Sequence, residues 1–188
     1  MNKRHRTFIA INLPNDVKKV LAGYQKKWAD VPARWTATEN LHITLLFLGD
    51  LTDLELGGVC LAVKGVLEKN NSFNITLNKV AYGPEGKLPP RYIWAGGQVS
   101  NEASLLKKDL EDALLELVKF NVDAYAFHPH ITLARINSMA WRAIEPEERP
   151  EVGEQIELTF TVESIEVMES ELTRQGPRYS TIESHSLL

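Results

Sequence analysis

A single cysteine, Cys60, excludes an intrachain disulfide and leaves no thiolate cluster for zinc. Positive charge is not in excess either. The 21 Lys and Arg fall short of the 25 Asp and Glu, for a net charge of −4. That balance excludes a protein that coats nucleic acid non-specifically, because such binding rests on many Lys and Arg contacts to phosphate. Recognition of one phosphate in a local basic pocket stays open. No apolar run approaches the roughly 20 residues that span a bilayer. The basic start, Met1 to Arg6, precedes only the short apolar run Phe8 to Ile11 before Asn12 and Pro14, too little for the core of a signal peptide. What is present is ordinary for a globular chain. Of 188 residues, 44% are hydrophobic and 24% charged, which excludes disorder and fits one domain over residues 1–188. The expected setting is the reducing cytoplasm, away from membranes.

Hydrophobic periodicity then divides the chain. Residues 6–13 read as a strand, and Pro14 opens a helix whose apolar stripe is Val17, Val20, Leu21, Tyr24 and Trp28. Pro32 ends that helix, and residues 34–39 read as loop. Residues 41–48 alternate as a strand, with His42, Thr44 and Leu46 on one face and Leu41, Ile43, Leu45 and Phe47 on the other. Helices are expected over 53–68 and 101–118, and strands over 73–82, 91–95 and 128–136. An irregular Pro- and Glu-rich stretch follows from 139 to 152, then one long strand over 155–168 and a short one over 179–182. Several strands adjoin in sequence and suit hairpins, so the fold class is α+β with mostly antiparallel sheet.

One tetrapeptide occurs twice, as His42-Ile43-Thr44-Leu45 and as His130-Ile131-Thr132-Leu133, nearly half the chain length apart. On a strand, residues i and i+2 share a face, so each copy sets an imidazole beside a hydroxyl. The Ile between them points the other way and can anchor the strand in a core. A duplicated half-unit would bring the two strands together about a pseudo-two-fold axis, with two His and two Thr converging on a cleft. That set suits in-line displacement at phosphorus. One neutral imidazole takes a proton from water while the other, as imidazolium, protonates the departing oxygen. Thr44 and Thr132 can donate to non-bridging phosphate oxygens. An attack of this kind places the two imidazoles roughly 6–9 Å apart.

These residues carry a resemblance to a known family. The chain resembles the 2H phosphoesterases, specifically the RNA 2′,3′-cyclic phosphodiesterases, also called 2′-5′ RNA ligase-like proteins. The likeness runs through Arg6 to Pro14, Asn40 to Gly49, Phe127 to Arg135, and the tail with Glu169, Ser170, Glu171, Leu172, Gly176 and Tyr179. It implies a bilobal fold: two pseudo-symmetric antiparallel lobes with helices outside and a cleft between them. It also implies hydrolysis of an RNA 2′,3′-cyclic phosphate to a 2′-phosphate. In the family pattern the first histidine donates the proton and the second accepts it, which carries over as His42 donor and His130 acceptor. From the residues alone the two roles stay nearly symmetric. Joining of RNA ends through a 2′-5′ linkage, cleavage of 2′-5′ oligonucleotides, and an RNA-end binding module without turnover remain as alternatives.

Other residues fill in the picture. Arg135 sits at an odd offset from His130 and on a regular strand points away from it, although its match to the family pattern implies a phosphate or RNA contact. Tyr179 is the aromatic best placed to stack on a base; Trp35 is a second candidate, and Phe47 reads as core. Arg6, Arg174 and Arg178 are candidates for a basic rim. His128 shares a face with His130 and, with His42, would make a three-histidine set like an open zinc site. Pro129, the lack of a partner before His42 and the paired threonines argue against it. His5 and His185, near the ends, read as solvent-exposed. The expected partner is an RNA or oligonucleotide end bearing a cyclic phosphate, acted on by a monomer without metal or cofactor.

Overall fold

The computed structural model describes residues 3–122, 126–174 and 176–188. Among these residues the chain runs β1 (His5–Asn12), α1 (Asn15–Lys27), β2 (Ala33–Trp35), β3 (His42–Leu51) and α2 (Asp53–Leu67). It continues with β4 (Phe73–Gly83), β5 (Tyr92–Gly97), α3 (Asn101–Leu115), β6 (His130–Ile136), α4 (Ser138–Arg142), β7 (Gly153–Val162), β8 (Ser164–Thr173) and β9 (Gly176–Ser186). The helix starts follow local chemistry. Pro14 precedes α1, and Thr52 and Glu55 form a reciprocal capping box on α2. The Ser100 hydroxyl caps α3 by accepting from the Ala103 amide at 3.1 Å. No helix of the described residues is long and apolar enough to cross a membrane.

The strands are antiparallel throughout, in the order β7-β4-β5-β6-β3-β1-β8-β9, with β2 added beside β6. The order is a palindrome of topologically equivalent strands. Working outward from the centre, β3 matches β6, β1 matches β5, β8 matches β4 and β9 matches β7. The halves join where Ile43 pairs with Ile131. Both isoleucines are fully buried, in a core shared with Val17 and Leu21 of α1, Val59 and Val63 of α2, and Leu106 and Leu110 of α3. One face of the sheet is therefore covered by helices. The other face carries a separate small cluster of Phe8, Ala10 and Met168, with Tyr179 against it.

The expected single strand over 155–168 is two strands. It breaks at Glu163, and its parts go to opposite sides of the molecule: β7 pairs with β4, and β8 with β1. A flat sheet would hold β7 and β8 six strand spacings apart, about 29 Å. Val162 and Ser164 are two residues apart, a reach of about 7 Å. The sheet must therefore fold across its middle, and the hinge line of that fold is the β3–β6 junction. Smaller departures have local causes. Residues 33–35, read as loop, form β2 because β6 offers a free edge beyond its pairing with β3. The last strand is longer than expected, pairing with β8 from Ser164↔Ser186 to Thr173↔Gly176. Residues 138–142 form a short helix capped by the Asn137 carboxamide.

His5 is the sharpest exception to the expected exposure. It is buried, with Nδ1 at 2.8 Å from Glu169 and Nε2 at 2.9 Å from Asp53. It thus ties β1, β8 and the start of α2 together. The Asp53 and Glu169 carboxylates, in that order, raise its pKa above the ordinary 6.5. A raised folded-state value favours the protonated fold, so this stabilisation is complete below about pH 6.5 and disappears as pH rises through the folded value. Thermal unfolding from pH 5 to 9 should show the gap between wild type and His5→Gln at its widest in the acid part of the range. A gap independent of pH would show that the imidazolium contributes nothing.

Candidate active site

The buried Ile43–Ile131 bridge decides which way the repeated tetrapeptides face. Their flanking residues, His42, Thr44, His130 and Thr132, all project to the face without helices, and all are half-buried. Continuing the antiparallel register sets Thr44 across from His130 and His42 across from Thr132. The two histidines become diagonal neighbours, a relation that separates side chains by about 7–8 Å in a regular ladder.

Each ring is held in the same way. Nδ1 of His42 donates to the Asn40 carbonyl at 2.7 Å, and Nδ1 of His130 donates to the His128 carbonyl at 3.0 Å. A carbonyl can only accept, so in the neutral ring the lone pair lies on Nε2 in both cases. Nε2 of His42 accepts from the Thr44 hydroxyl at 3.0 Å. His128 thus takes part through its backbone, and its side chain is exposed. Among the described residues no group of three or more His, Cys, Asp or Glu is set to hold a metal. Cys60 lies in the core of α2, where burial pushes its thiol up to about 11.

Beyond the shared geometry the two histidines differ. His42 stands 5.1 Å from the Phe8 ring and 5.1 Å, edge-on, from Tyr179. Burial holds its pKa below the ordinary value, and the Lys18 and His130 charges push in the same direction against the Asn40 hydrogen bond. Lys18 is itself buried, with Nζ donating to the Glu39 carbonyl at 3.1 Å. His130 instead lies 4.3 Å from the Trp94 ring, and Trp94 stacks on Tyr92. Trp94 is not among the sequence candidates. A Cβ at Gly83 would overlap the indole's six-membered ring, so the glycine is what lets the indole lie flat there.

Arg135 and Phe47 reverse their expected directions for one reason. In β6, Thr132 and Ala134 oppose consecutive residues of β5, so Leu133 is bulged. In β3, Thr44 and Leu46 oppose consecutive residues of β1, so Leu45 is bulged. Each bulge adds one residue and inverts the alternation beyond it. Arg135 consequently turns to the histidine face, and so does Phe47, which is 70% exposed and 6.2 Å from Phe8 instead of lying in the core. Trp35 packs against the core and is no stacking platform. Arg6, Arg174 and Arg178 are exposed.

A duplicated antiparallel half with a His-x-Thr element at the centre of each copy defines the 2H phosphoesterase class. The chain belongs to the LigT-like phosphoesterase family, whose model matches residues 11–94 and 97–179, one stretch for each histidine. Among curated relatives, an RNA 2′,3′-cyclic phosphodiesterase of Geobacillus stearothermophilus is 32% identical over 99% of this chain, which spans 58% of that relative's length. One of the same name from Thermus thermophilus is 32% identical, covering 97% of this chain and 90% of the relative. The crystal structure of the Thermus thermophilus protein TT0787 matches with a TM-score of 0.82 and 28% identity over 97% of both chains. E. coli LigT complexed with 3′-AMP shares the fold, with a TM-score of 0.78 at 24% identity over 98% of this chain and 99% of that one.

Two glycines test the packing account. Gly83→Ala should cost about 1–3 kcal/mol in urea unfolding, as overpacking against Trp94 does. Gly57→Ala, at an exposed site in α2 with open space around it, should stabilise by roughly 0.5–1 kcal/mol. Equal effects at the two positions would contradict the contact with Trp94.

Proposed function

We propose that the protein hydrolyses RNA 2′,3′-cyclic phosphate ends to 2′-phosphates, with His42 and His130 as acid and base and no metal in the step. The observation that carries this reading is the paired orientation of the rings. Both Nδ1 atoms are spent on backbone carbonyls, which leaves both Nε2 atoms to the open face, that of His42 beside the Thr44 hydroxyl. The relatives named for this activity and the family match supply the substrate class.

The step balances without a further reactant. Nε2 of neutral His130 removes a proton from water as the oxygen attacks phosphorus. The P–O3′ bond breaks, and Nε2–H of protonated His42 delivers its proton to O3′. The products are a 2′-phosphomonoester and a 3′-hydroxyl, with His130 now charged and His42 neutral. Exchange of one proton with solvent restores the start. Thr44 and Thr132 donate to the non-bridging oxygens as charge builds there. Arg135, turned to the same face, adds a fixed positive charge.

The donor role sets a condition on His42. In the free protein its surroundings favour the neutral ring. A bound phosphate anion reverses that preference, since a nearby negative charge stabilises the imidazolium. The charge needed for protonating O3′ therefore arises with substrate binding, and binding of an anionic ligand must strengthen as pH falls through the His42 pKa.

His42→Ala and His130→Ala should each lower kcat by about 10²–10⁴ toward an oligonucleotide 2′,3′-cyclic phosphate while thermal unfolding stays near wild type. Phosphorus NMR should show a 2′-phosphate product, and EDTA should not change the rate. In histidine C2–H titrations, His42 should titrate below 6.5 in the free protein and higher with a nucleoside 2′-phosphate bound. Full activity in either alanine variant, or a 3′-phosphate product, would overturn the assignment.

A further inference from the structure

Helix α1 does not bury the stripe that its apolar periodicity predicts. Val20 is 53% exposed, and Lys18 goes inside instead, beside Val17 and Leu21. Burying an ammonium costs far more than burying a valine unless the charge is well paired. Among the described residues Lys18 has no carboxylate partner, and its one hydrogen bond runs from Nζ to the Glu39 carbonyl at 3.1 Å. Local rules are broken in this way mostly at functional sites.

The Glu39 carbonyl belongs to a single 3₁₀ turn, Thr38–Asn40, none of whose residues is buried. Little packing therefore holds the turn, yet two contacts of the site hang on it. The Asn40 carbonyl accepts from Nδ1 of His42 at 2.7 Å, and the Asn40 carboxamide donates to the Pro177 carbonyl at 3.1 Å. Pro177 precedes by two residues Tyr179, whose ring stands edge-on to His42. The other half of the molecule secures the equivalent stretch with backbone. There Gly97 carries the ladder of β5 one residue past His130 by donating to the Pro129 carbonyl at 2.8 Å. Beside β3 the matching ladder stops at the pair Asn12↔His42. The next amide, of Leu13, is taken by the Asn12 side chain, and Pro14 has no N–H to give. Lys18 reaches in from the helix side and supplies a donor where the strand has none left.

We propose that Lys18 is a positioning residue for His42. Its ammonium holds the 38–40 turn and, through the Asn40 carbonyl on Nδ1, keeps the ring fixed with Nε2 aimed at the open face. This rests on the reading of His42 as the proton donor given above. Lys18 itself touches no reacting atom; it acts only through the turn.

The test is Lys18→Met, which keeps the apolar stem and removes the charge and its donors. With an oligonucleotide 2′,3′-cyclic phosphate, kcat should fall about ten- to hundredfold, as it does when a reacting group is slightly misplaced, while KM changes little. Thermal unfolding should stay at or above wild type, because an apolar replacement for a buried charge is often neutral or stabilising. Lys18→Arg, which keeps a charged donor, should retain most of the rate. In a His42→Ala background Lys18→Met should cost nothing further, since residues that act through one step are not additive. Nitrogen NMR should find neutral His42 as a single Nδ1–H tautomer in the wild type and as a mixture of tautomers in Lys18→Met. Wild-type kcat in Lys18→Met, no rescue by arginine, an equal loss in the His42→Ala background, or an unchanged tautomer would refute the proposal. A loss of rate that merely follows a lowered unfolding temperature, or a variant that does not fold, refutes it too, by making Lys18 a packing residue. If the wild type hydrolyses no cyclic phosphate, the functional reading fails by itself, and the tautomer measurement still decides whether Lys18 holds His42.

Discussion

The site depends on the burial of two isoleucines. Ile43 and Ile131 meet at the join between the halves, and each lies between a histidine and a threonine of its own strand. Strand geometry leaves no freedom after that. With the isoleucines in the core, the histidines and threonines must stand on the opposite face, all four together. A register slip of one residue would bury the imidazoles and expose the isoleucines, a change the apolar core resists strongly. Core packing and site assembly are one event at this junction. The same junction is where the sheet folds, so the open face becomes a cleft along the line on which the histidines meet.

Two identical tetrapeptides end in different surroundings, and the difference begins on the neighbouring strands. Across from Thr44 stands Ala10; across from Thr132 stands Trp94. The small alanine leaves room for Phe8 and Tyr179 to close on His42, which becomes the more shielded ring. The indole occupies the equivalent space in the other half and lies against His130. Burial and the Lys18 charge then favour neutral His42 in the resting protein. Two motifs identical in sequence thus sit in unlike surroundings.

Much of this is legible in the sequence because the relevant signals are local. The repeat locates both histidines and both threonines, and period-2 alternation correctly faces them away from Ile43 and Ile131. Helix stripes and caps locate α1, α2 and α3. What escapes is set at longer range. Glu163 looks like an ordinary residue inside a strand, and only the pairing partners of β7 and β8 show that the chain changes sides there. His5 lies near the chain end, and its burial depends on Asp53 and Glu169, carboxylates remote in sequence. Trp94 has no motif of its own; it matters because β5 adjoins β6 and Gly83 leaves space for it. Phe47 reads as core only under an alternation that a bulge interrupts.

That bulge is itself part of the repeat. In both halves the extra residue is the leucine that follows Thr, and the burial pattern over His42–Leu48 matches that over His130–Ile136 residue for residue. Phe47 and Arg135 therefore occupy equivalent positions, five residues beyond their histidines, and both are turned to the cleft by the same local distortion. A bulge without use would be a cost, since it interrupts ladder hydrogen bonds. Here it lets a third side chain on each central strand reach the open face. On one strand that side chain is aromatic and stands with Phe8; on the other it is cationic and stands beside Arg34. The open face thus carries an aromatic side chain at one bulge and a cationic one at the other. A symmetric distortion of two like strands therefore presents unlike third side chains to the same open face.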